Sequence, residues 1–165
     1  MTPDLLAQAK RLGVVLVENP LHLAPARDET GGEMMVTRLG EQRAREFQLL
    51  RSVIAAGVPI ALGSDAGGDA ASPFLNIMLA VRYDRNPAEA LTREQALTAY
   101  TAGAAFAEGQ ERHKGTIAVG MAADVAMLSQ DILTVPIEAL PATRSVLTLV
   151  DGEVVHEEVG TDSRR

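Results

Sequence analysis

The run over residues 58–68 constrains the fold of this chain more than any other feature of its sequence. Its first part, Val58–Leu62, is apolar without interruption, which is typical of a strand covered on both faces in a parallel sheet. The polar and glycine residues that follow are Gly63, Ser64, Asp65, Gly67 and Gly68. Ligands and catalytic groups collect at the carboxyl ends of parallel strands. We therefore predict that Asp65 is the main functional residue.

Two helix-to-strand steps lead up to this carboxyl end. A helical pattern over residues 3–12 is closed by Gly13, and the apolar run Val14–Val17 follows it as a strand. A second helical pattern, Arg38–Ala56, ends at Gly57 directly before the second strand. The other predicted elements are a long loop over 21–37, helices over 73–83 and 92–107, and strands over 124–128, 145–150 and 153–156.

The chain changes from helical patterns to short strands after Gly109, where we place a boundary. Residues 1–108 hold two strands with their helices, whereas a complete (β/α)8 barrel needs about 250 residues. We therefore predict an α/β fold in which residues 1–108 form part of a TIM barrel. Residues 109–158 are predicted to form β-sandwich strands with a hairpin turn at Asp151-Gly152, and residues 159–165 a disordered tail.

Composition excludes several classes of function. The formal net charge of −7 argues against a nucleic-acid partner, because phosphate recognition needs clustered lysine and arginine. No apolar run approaches the roughly 20 residues of a membrane span, and the N-terminus lacks a signal-peptide layout. The sequence therefore predicts a cytoplasmic chain without membrane contact. The absence of cysteine excludes disulfides and thiolate metal sites.

Three alternative interpretations of the loop after the second strand fail on residue spacing. A phosphate-binding loop would end in Gly-Lys-(Ser/Thr), and the carboxylates of Asp65 and Asp69 would repel phosphate. A calcium loop would need a twelve-residue ligand pattern with a terminal glutamate. A serine hydrolase would place Ser64 or Ser72 in Gly-x-Ser-x-Gly, which neither satisfies. A local turn or cap role for Asp65 stays open beside the functional one.

Four segments, in this order, resemble the metal-dependent amidohydrolase superfamily in its amidohydrolase 3-type branch. The stretch Gly57–Asp65 is similar to the last barrel strand of the family, and Leu91–Thr101 is similar to the helix after it. Gly115–Leu128 resembles the signature Gly-x-(Ile/Leu)-x-x-Gly-x-x-Ala-Asp-(Leu/Val), which returns the chain to a small β-sandwich. Thr148–Val155 is similar to the closing hairpin of the family.

The resemblance implies the C-terminal portion of such an enzyme, namely the last two βα units of a (β/α)8 TIM barrel and strands of the adjoining sandwich. It implies hydrolysis of a non-peptide carbon–nitrogen bond by water activated on one or two divalent metals, most often zinc. The residue matched by Asp65 binds the metal and moves a proton to the leaving amine. The residues expected to shape the substrate mouth are Asn19, His22, Ser64, Gly67 and Gly68.

The resemblance also implies metal ligands that have no counterpart in this sequence. Family members bind the metal with a His-x-His, a carboxylated lysine or a glutamate, and two further histidines on earlier strands. The sequence holds three isolated histidines, His22, His113 and His156. A catalytic zinc normally needs three protein ligands, so we expect no metal and no activity in this chain alone.

An incomplete barrel predicts partners. Two strands taken from a ring of eight leave open edges and uncovered helix faces, which favours pairing with another chain. We expect self-association, which includes a swapped homodimer, or a chain that supplies the missing barrel strands, with a small-molecule substrate once assembled. A truncated gene product is a further interpretation. The alternative function is a non-catalytic interaction or assembly module that retains the packing of the family.

Overall fold

The computed structural model of the chain describes residues 2–23, 31–65 and 67–158, and residues 31–35 are described as backbone only. The α-helices in these ranges are α1 (Pro3–Arg11), α2 (Gly31–Arg45), α3 (Leu50–Ala55), α4 (Pro73–Arg82), α5 (Arg93–Tyr100) and α6 (Ala102–Ala107). The strands are β1 (Leu16–Glu18), β2 (Ile60–Leu62), β3 (Val125–Leu128), β4 (Ser145–Val150) and β5 (Glu153–Glu157). Short 3₁₀ helices cover Pro20–Leu23, Gly68–Ala71, Pro87–Glu89 and Ile137–Ala142.

The strands form two separate sheets. β1 and β2 pair in parallel, with Leu16 opposite Ile60 and Glu18 opposite Leu62. β3, β4 and β5 form an antiparallel sheet in that order. The mixed α/β character predicted from the sequence is therefore confirmed, with the parallel pair in the first part of the chain and the antiparallel sheet in the second.

Both parallel strands begin later than predicted, because the residue after each glycine belongs to a helix cap. Gly13 has a φ of +65°, and the N–H of Val14 donates to the carbonyl of Ala9 at 3.0 Å. This is the Schellman motif, in which a left-handed residue closes the helix. The same motif recurs at Gly57 and Val58. The cap accounts for the first residue after each glycine, and the strands begin two residues after that, at Leu16 and Ile60.

The prediction of a loop over residues 21–37 is wrong at its start and at its end, which are the two parts that the structure describes. Its start lies in the 3₁₀ helix Pro20–Leu23, and its end lies in α2, which begins at Gly31. Residues 24–30 lie outside the described residues. The sequence analysis therefore missed residues 31–37 of α2 and predicted only its later part, and the helix breaks internally at Gly40, with a φ of +77° and a ψ of 158°.

The predicted single helix Arg38–Ala56 is interrupted between Arg45 and Leu50. Side chains from elsewhere bind the backbone of this interruption. The hydroxyl of Tyr83 donates to the carbonyl of Phe47, and Gln48 adopts a left-handed φ of +54°. A residue in the left-handed region does not continue a right-handed α-helix, so the conformation of Gln48 accounts for the break.

The predicted helix over residues 92–107 is also two helices. Thr92 and Gln95 form a capping box that starts α5, with the Gln95 amide N–H donating to the Thr92 hydroxyl at 3.2 Å. Thr101 then leaves the helical region with a φ of −111° and a ψ of −86°. α6 follows at a new angle and contacts β2. The helix predicted over 73–83 is confirmed as α4.

The main core connects both parts of the chain. Ile132 and Leu140, which follow β3, pack into the same buried cluster as residues of β2, α3, α4 and α5. The buried members of this cluster are Leu23, Leu50, Leu62, Ile77, Ala80, Tyr83, Leu91, Ala96, Ala99, Ile132 and Leu140. A second, smaller cluster of Leu6, Val53 and Val58 joins α1 to α3.

The antiparallel sheet follows the predicted strands closely. β3 starts one residue later than predicted, β4 matches the predicted range, and β5 extends one residue further. The predicted turn places Asp151 and Gly152 at positive φ between β4 and β5. The predicted tail over 159–165 lies outside the described residues. None of the helices in the described part of the chain is long and apolar enough to cross a membrane.

Candidate functional site

The carboxyl ends of β1 and β2 lie side by side. Glu18 is opposite Leu62, and the N–H of Gly63 donates to the Glu18 carbonyl at 3.0 Å. The residues after the two strands therefore leave the sheet at the same level. We call the segments 18–23 and 63–72 together the carboxyl edge.

Asp65 lies on the carboxyl edge with its side chain exposed, while Ser64 beside it is half-buried. The backbone of Asp65 is left-handed, with a φ of +50°. Aspartate tolerates this region better than most residues, and such conformations are concentrated at functional turns. Asp65 forms no salt bridge with any side chain that the structure describes. Its carboxylate is therefore accessible to a ligand.

Asn19 and His22 follow β1 on the other segment of the carboxyl edge. The Asn19 Oδ1 atom would lie 3.5 Å from a Cβ at Gly63, so the Asn19 side chain contacts the start of the Asp65 segment. His22 is exposed on the 3₁₀ helix, which is held by the buried residues Pro20 and Leu23. The structure therefore brings Asn19 next to Gly63 and leaves His22 on the surface of the same edge.

Gly67 and Gly68 are exposed and lead into the 3₁₀ helix Gly68–Ala71. Gly68 has a left-handed φ of +58°. The hydroxyl of Ser72 then accepts from the N–H of Leu75 at 3.3 Å and starts α4. α4 packs against both 3₁₀ helices of the carboxyl edge. One helix therefore supports the two segments that carry the predicted site residues.

Glu18 is a candidate residue that the sequence analysis did not single out. It is the last residue of β1, and burial raises the pKa of its carboxyl above the ordinary glutamate value. A carboxyl group with a raised pKa at a strand end is a possible proton donor or acceptor. Its position as a charged residue ending an apolar strand was the available signal in the sequence.

The raised pKa of Glu18 predicts a pH-dependent stability. The folded state binds the proton of the Glu18 carboxyl more tightly than the unfolded chain does. The free energy of unfolding therefore falls as the pH rises above 4.5, the ordinary pKa of a glutamate. Glu18→Gln removes this loss, so we expect the variant to be more stable than wild type near neutral pH. The difference should vanish below about pH 4.

Urea denaturation of both proteins across this pH range measures the effect. The exposed Glu153→Gln variant, on β5, is the control for removing one negative charge from an acidic chain. A Glu18→Gln variant that is less stable than wild type at neutral pH would contradict the prediction.

The residues that the structure describes do not by themselves fit a catalytic metal. Among the described residues, no three side chains of histidine, aspartate or glutamate are grouped closely enough to hold an ion. A catalytic zinc normally has three protein ligands and a water. Asp65 could supply one ligand, and the others would have to come from outside the described residues.

The sequence model described as "Amidohydrolase family" matches residues 1–156. The chain belongs to the amidohydrolase family. This confirms the resemblance found in the four sequence segments.

Two amidohydrolase-family relatives match this chain over most of its length. YtcJ of Bacillus subtilis strain 168, a protein named as an amidohydrolase, is 27% identical over 164 residues. The N-substituted formamide deformylase of Arthrobacter pascens is 31% identical over 157 residues. The matches cover 94% and 91% of this chain but 30% and 28% of the two relatives. The chain thus spans under a third of the length of these curated relatives.

Solved amidohydrolase structures share the fold. The ochratoxinase of A. niger has a TM-score of 0.68 at 23% identity, over 99% of this chain and 38% of its own. An adenosine deaminase from Xanthomonas campestris with bound zinc has a TM-score of 0.62 at 18% identity, over 98% and 37%. The chain therefore has the fold of part of a larger TIM-barrel protein.

Proposed function

We propose that this chain is the C-terminal portion of a metal-dependent amidohydrolase that hydrolyses non-peptide carbon–nitrogen bonds. In this proposal β1 and β2 are the last two strands of the (β/α)8 barrel, and β3, β4 and β5 belong to the adjoining sandwich. The observation that carries the proposal is the placement of Asp65 on the edge where β1 and β2 end together. The family match over residues 1–156 supports the class of reaction.

Asp65 is the proposed catalytic residue and metal ligand. Its carboxylate would take a proton from the attacking water as the new carbon–oxygen bond forms. It would then deliver that proton to the leaving nitrogen as the carbon–nitrogen bond breaks. Exposure of the Asp65 side chain allows both transfers without rearrangement of the strand below it.

The substrate is a small molecule held at the carboxyl edge in this proposal. Asn19 contacts the start of the Asp65 segment, and Ser64 is half-buried beside the catalytic carboxylate. His22, Gly67 and Gly68 are exposed on the flanking loops, where they would form the rim of the substrate mouth. These groups offer an amide, a hydroxyl and an imidazole for hydrogen bonds to a polar substrate.

A further polypeptide segment must complete the barrel in this proposal. Among the described strands, β1 pairs on one edge only, and nearby apolar side chains are exposed. In α1, in β1 and between them, the exposed fractions are 52% for Leu5, 70% for Leu12 and 60% for Val17. Open apolar surface beside an unpaired strand edge is typical of an interaction site.

A second copy of this chain does not complete a parallel barrel. A two-fold axis at the free edge of β1 would pair the strand with its copy in the antiparallel direction. The outer edge of β2 is contacted by α6, because Gly103 lies against the carbonyl of Ile60. We therefore infer that the completing segment carries different βα units, including the remaining metal ligands.

The experiment that tests the proposal is a chimera. This chain replaces the segment of the Arthrobacter pascens deformylase that it matches over 157 residues. We expect the chimera to bind zinc, measured by elemental analysis, and to hydrolyse an N-substituted formamide. We expect the 165-residue chain alone, with its mass recorded by light scattering, to hold far less than one zinc per chain.

Two results would count against this function. Stoichiometric zinc and amide hydrolysis by the chain alone would show that no completing segment is needed. A chimera that is folded and binds zinc, yet hydrolyses nothing in a panel of amides and cyclic ureas, would favour the non-catalytic module.

A further inference from the structure

Two side-chain amides, that of the half-buried Gln48 and that of the buried Asn76, bind the two segments of the carboxyl edge. Each donates from its amide nitrogen to backbone carbonyls of one segment. Each also has a buried amide oxygen, Gln48 Oε1 or Asn76 Oδ1, with no hydrogen-bond partner among the described residues. A buried polar atom without a partner costs about 1–3 kcal/mol, so its presence calls for a reason.

Gln48 holds the segment after β1. Its Nε2 donates to the carbonyl of Asn19 at 3.1 Å, across 29 residues of sequence. The same carbonyl accepts the backbone N–H of His22 at 3.0 Å. Both lone pairs of one carbonyl are therefore occupied, and the turn that carries Asn19 and His22 is fixed to the interruption between α2 and α3.

The backbone around Gln48 is itself fixed in place. Gln48 has a φ of +54°, a conformation that is uncommon for residues with a side chain. The hydroxyl of Tyr83 holds the preceding carbonyl, that of Phe47. Burial raises the pKa of Tyr83 to about 12, so the hydroxyl stays a donor at ordinary pH. The Gln48 side chain therefore starts from a fixed position and transmits it to Asn19.

Asn76 holds the segment after β2. It lies in α4 with no exposed surface, and its Nδ2 donates to the carbonyls of Ala70 and Ser72, each at 3.0 Å. A reversed amide would place Oδ1 against two carbonyl oxygens, so the partners fix the orientation. The 3₁₀ helix that follows Gly67 is therefore attached to the helix behind it.

We propose that Gln48 and Asn76 are positioning residues that hold the two segments of the carboxyl edge in one arrangement around Asp65. An apolar side chain at either position would remove the unpaired oxygen and would leave its segment free to move. What the segments do once positioned rests on the proposed function. The positioning itself is a property of the chain and can be measured without activity.

Amide hydrogen exchange by NMR tests this proposal on the chain itself, with the volume-matched variants Gln48→Met and Asn76→Leu. We expect exchange about tenfold faster at the His22 amide in Gln48→Met and at the Ser72 amide in Asn76→Leu. Exchange at core amides such as Ala96 should be unchanged, and the melting temperature should stay within about 3 °C of wild type.

Two matched variants serve as controls. Gln130 donates from its amide nitrogen to the carbonyl of Ala139 at 2.8 Å, and Asn86 donates to the carbonyl of Arg45 at 2.8 Å. Neither has an unpaired buried oxygen, and neither donates to the carboxyl edge. Gln130→Met should leave exchange at His22 as in wild type, and Asn86→Leu should leave exchange at Ser72 as in wild type.

Unchanged exchange at His22 and Ser72 would overturn the proposal. So would faster exchange at every amide with a large fall in melting temperature, since that pattern describes a general structural role. If Asn76→Leu shows no cooperative melting, the smaller variant Asn76→Ser replaces it under the same criteria. An inactive chimera with the expected exchange pattern would count against the proposed function alone.

Discussion

Gly103→Ala is expected to destabilise this chain by about 3 kcal/mol, although alanine is the better helix former by roughly 1 kcal/mol. A Cβ at this position of α6 would overlap the carbonyl oxygen of Ile60 in β2. It would also lie 3.4 Å from the Ile60 carbonyl carbon and from the Thr98 carbonyl oxygen. All three atoms belong to the backbone, so no flexible side chain can move aside.

The free energy of unfolding from urea titration measures this effect. Gly67→Ala is the matched control, because Gly67 has a φ of −109° and no neighbour within 4 Å of a built Cβ. We expect the control to change stability by less than about 1 kcal/mol. If Gly103→Ala were more stable than wild type, α6 would not pack on β2 as described.

Asp65→Asn in the deformylase chimera is expected to lower kcat by about 10²- to 10⁴-fold. The amide keeps the shape of the side chain but is not a base, so it cannot take the proton from water. The exposed position of Asp65 means that the substitution should leave the folded structure unchanged. Steady-state kinetics on an N-substituted formamide, with zinc content measured on the same sample, separates lost proton transfer from lost metal.

Asp69→Asn is the control for this substitution. Asp69 is an exposed carboxylate four residues further along the same segment. Since it has no place in the proposed mechanism, we expect a change in kcat of less than about twofold. Equal turnover by wild type and Asp65→Asn would eliminate the proposed proton-transfer role.

Local signals predicted much of the fold. Gly13 and Gly57 both have positive φ, a conformation that glycine adopts without strain, and each closes a helix before a parallel strand. The antiparallel strands were predicted nearly residue for residue, and the predicted turn at Asp151-Gly152 joins β4 to β5. The strand starts were too early, because the Schellman motif uses one residue after each glycine.

The interruption between α2 and α3 could not be predicted in the same way. Phe47 fits a helical pattern, but its carbonyl is bound by Tyr83, which lies 36 residues away. The candidate site likewise has one part that could be predicted from the sequence and one part that could not. The sequence pattern placed Asp65 after a strand, whereas the burial that raises the pKa of Glu18 depends on elements that pack around β1.

The family, the two helix-to-strand steps and the strand end that carries Asp65 could all be predicted from the sequence without the structure. These follow from residues that act within one or two turns of the chain, such as a glycine at positive φ or an apolar run. Two contacts could not be predicted in this way and depend on the tertiary structure. Gln48 binds Asn19, and Gly103 lies against Ile60. The physical reason is that these contacts join atoms 29 or more residues apart, and they exist only after the helices have packed on the sheet.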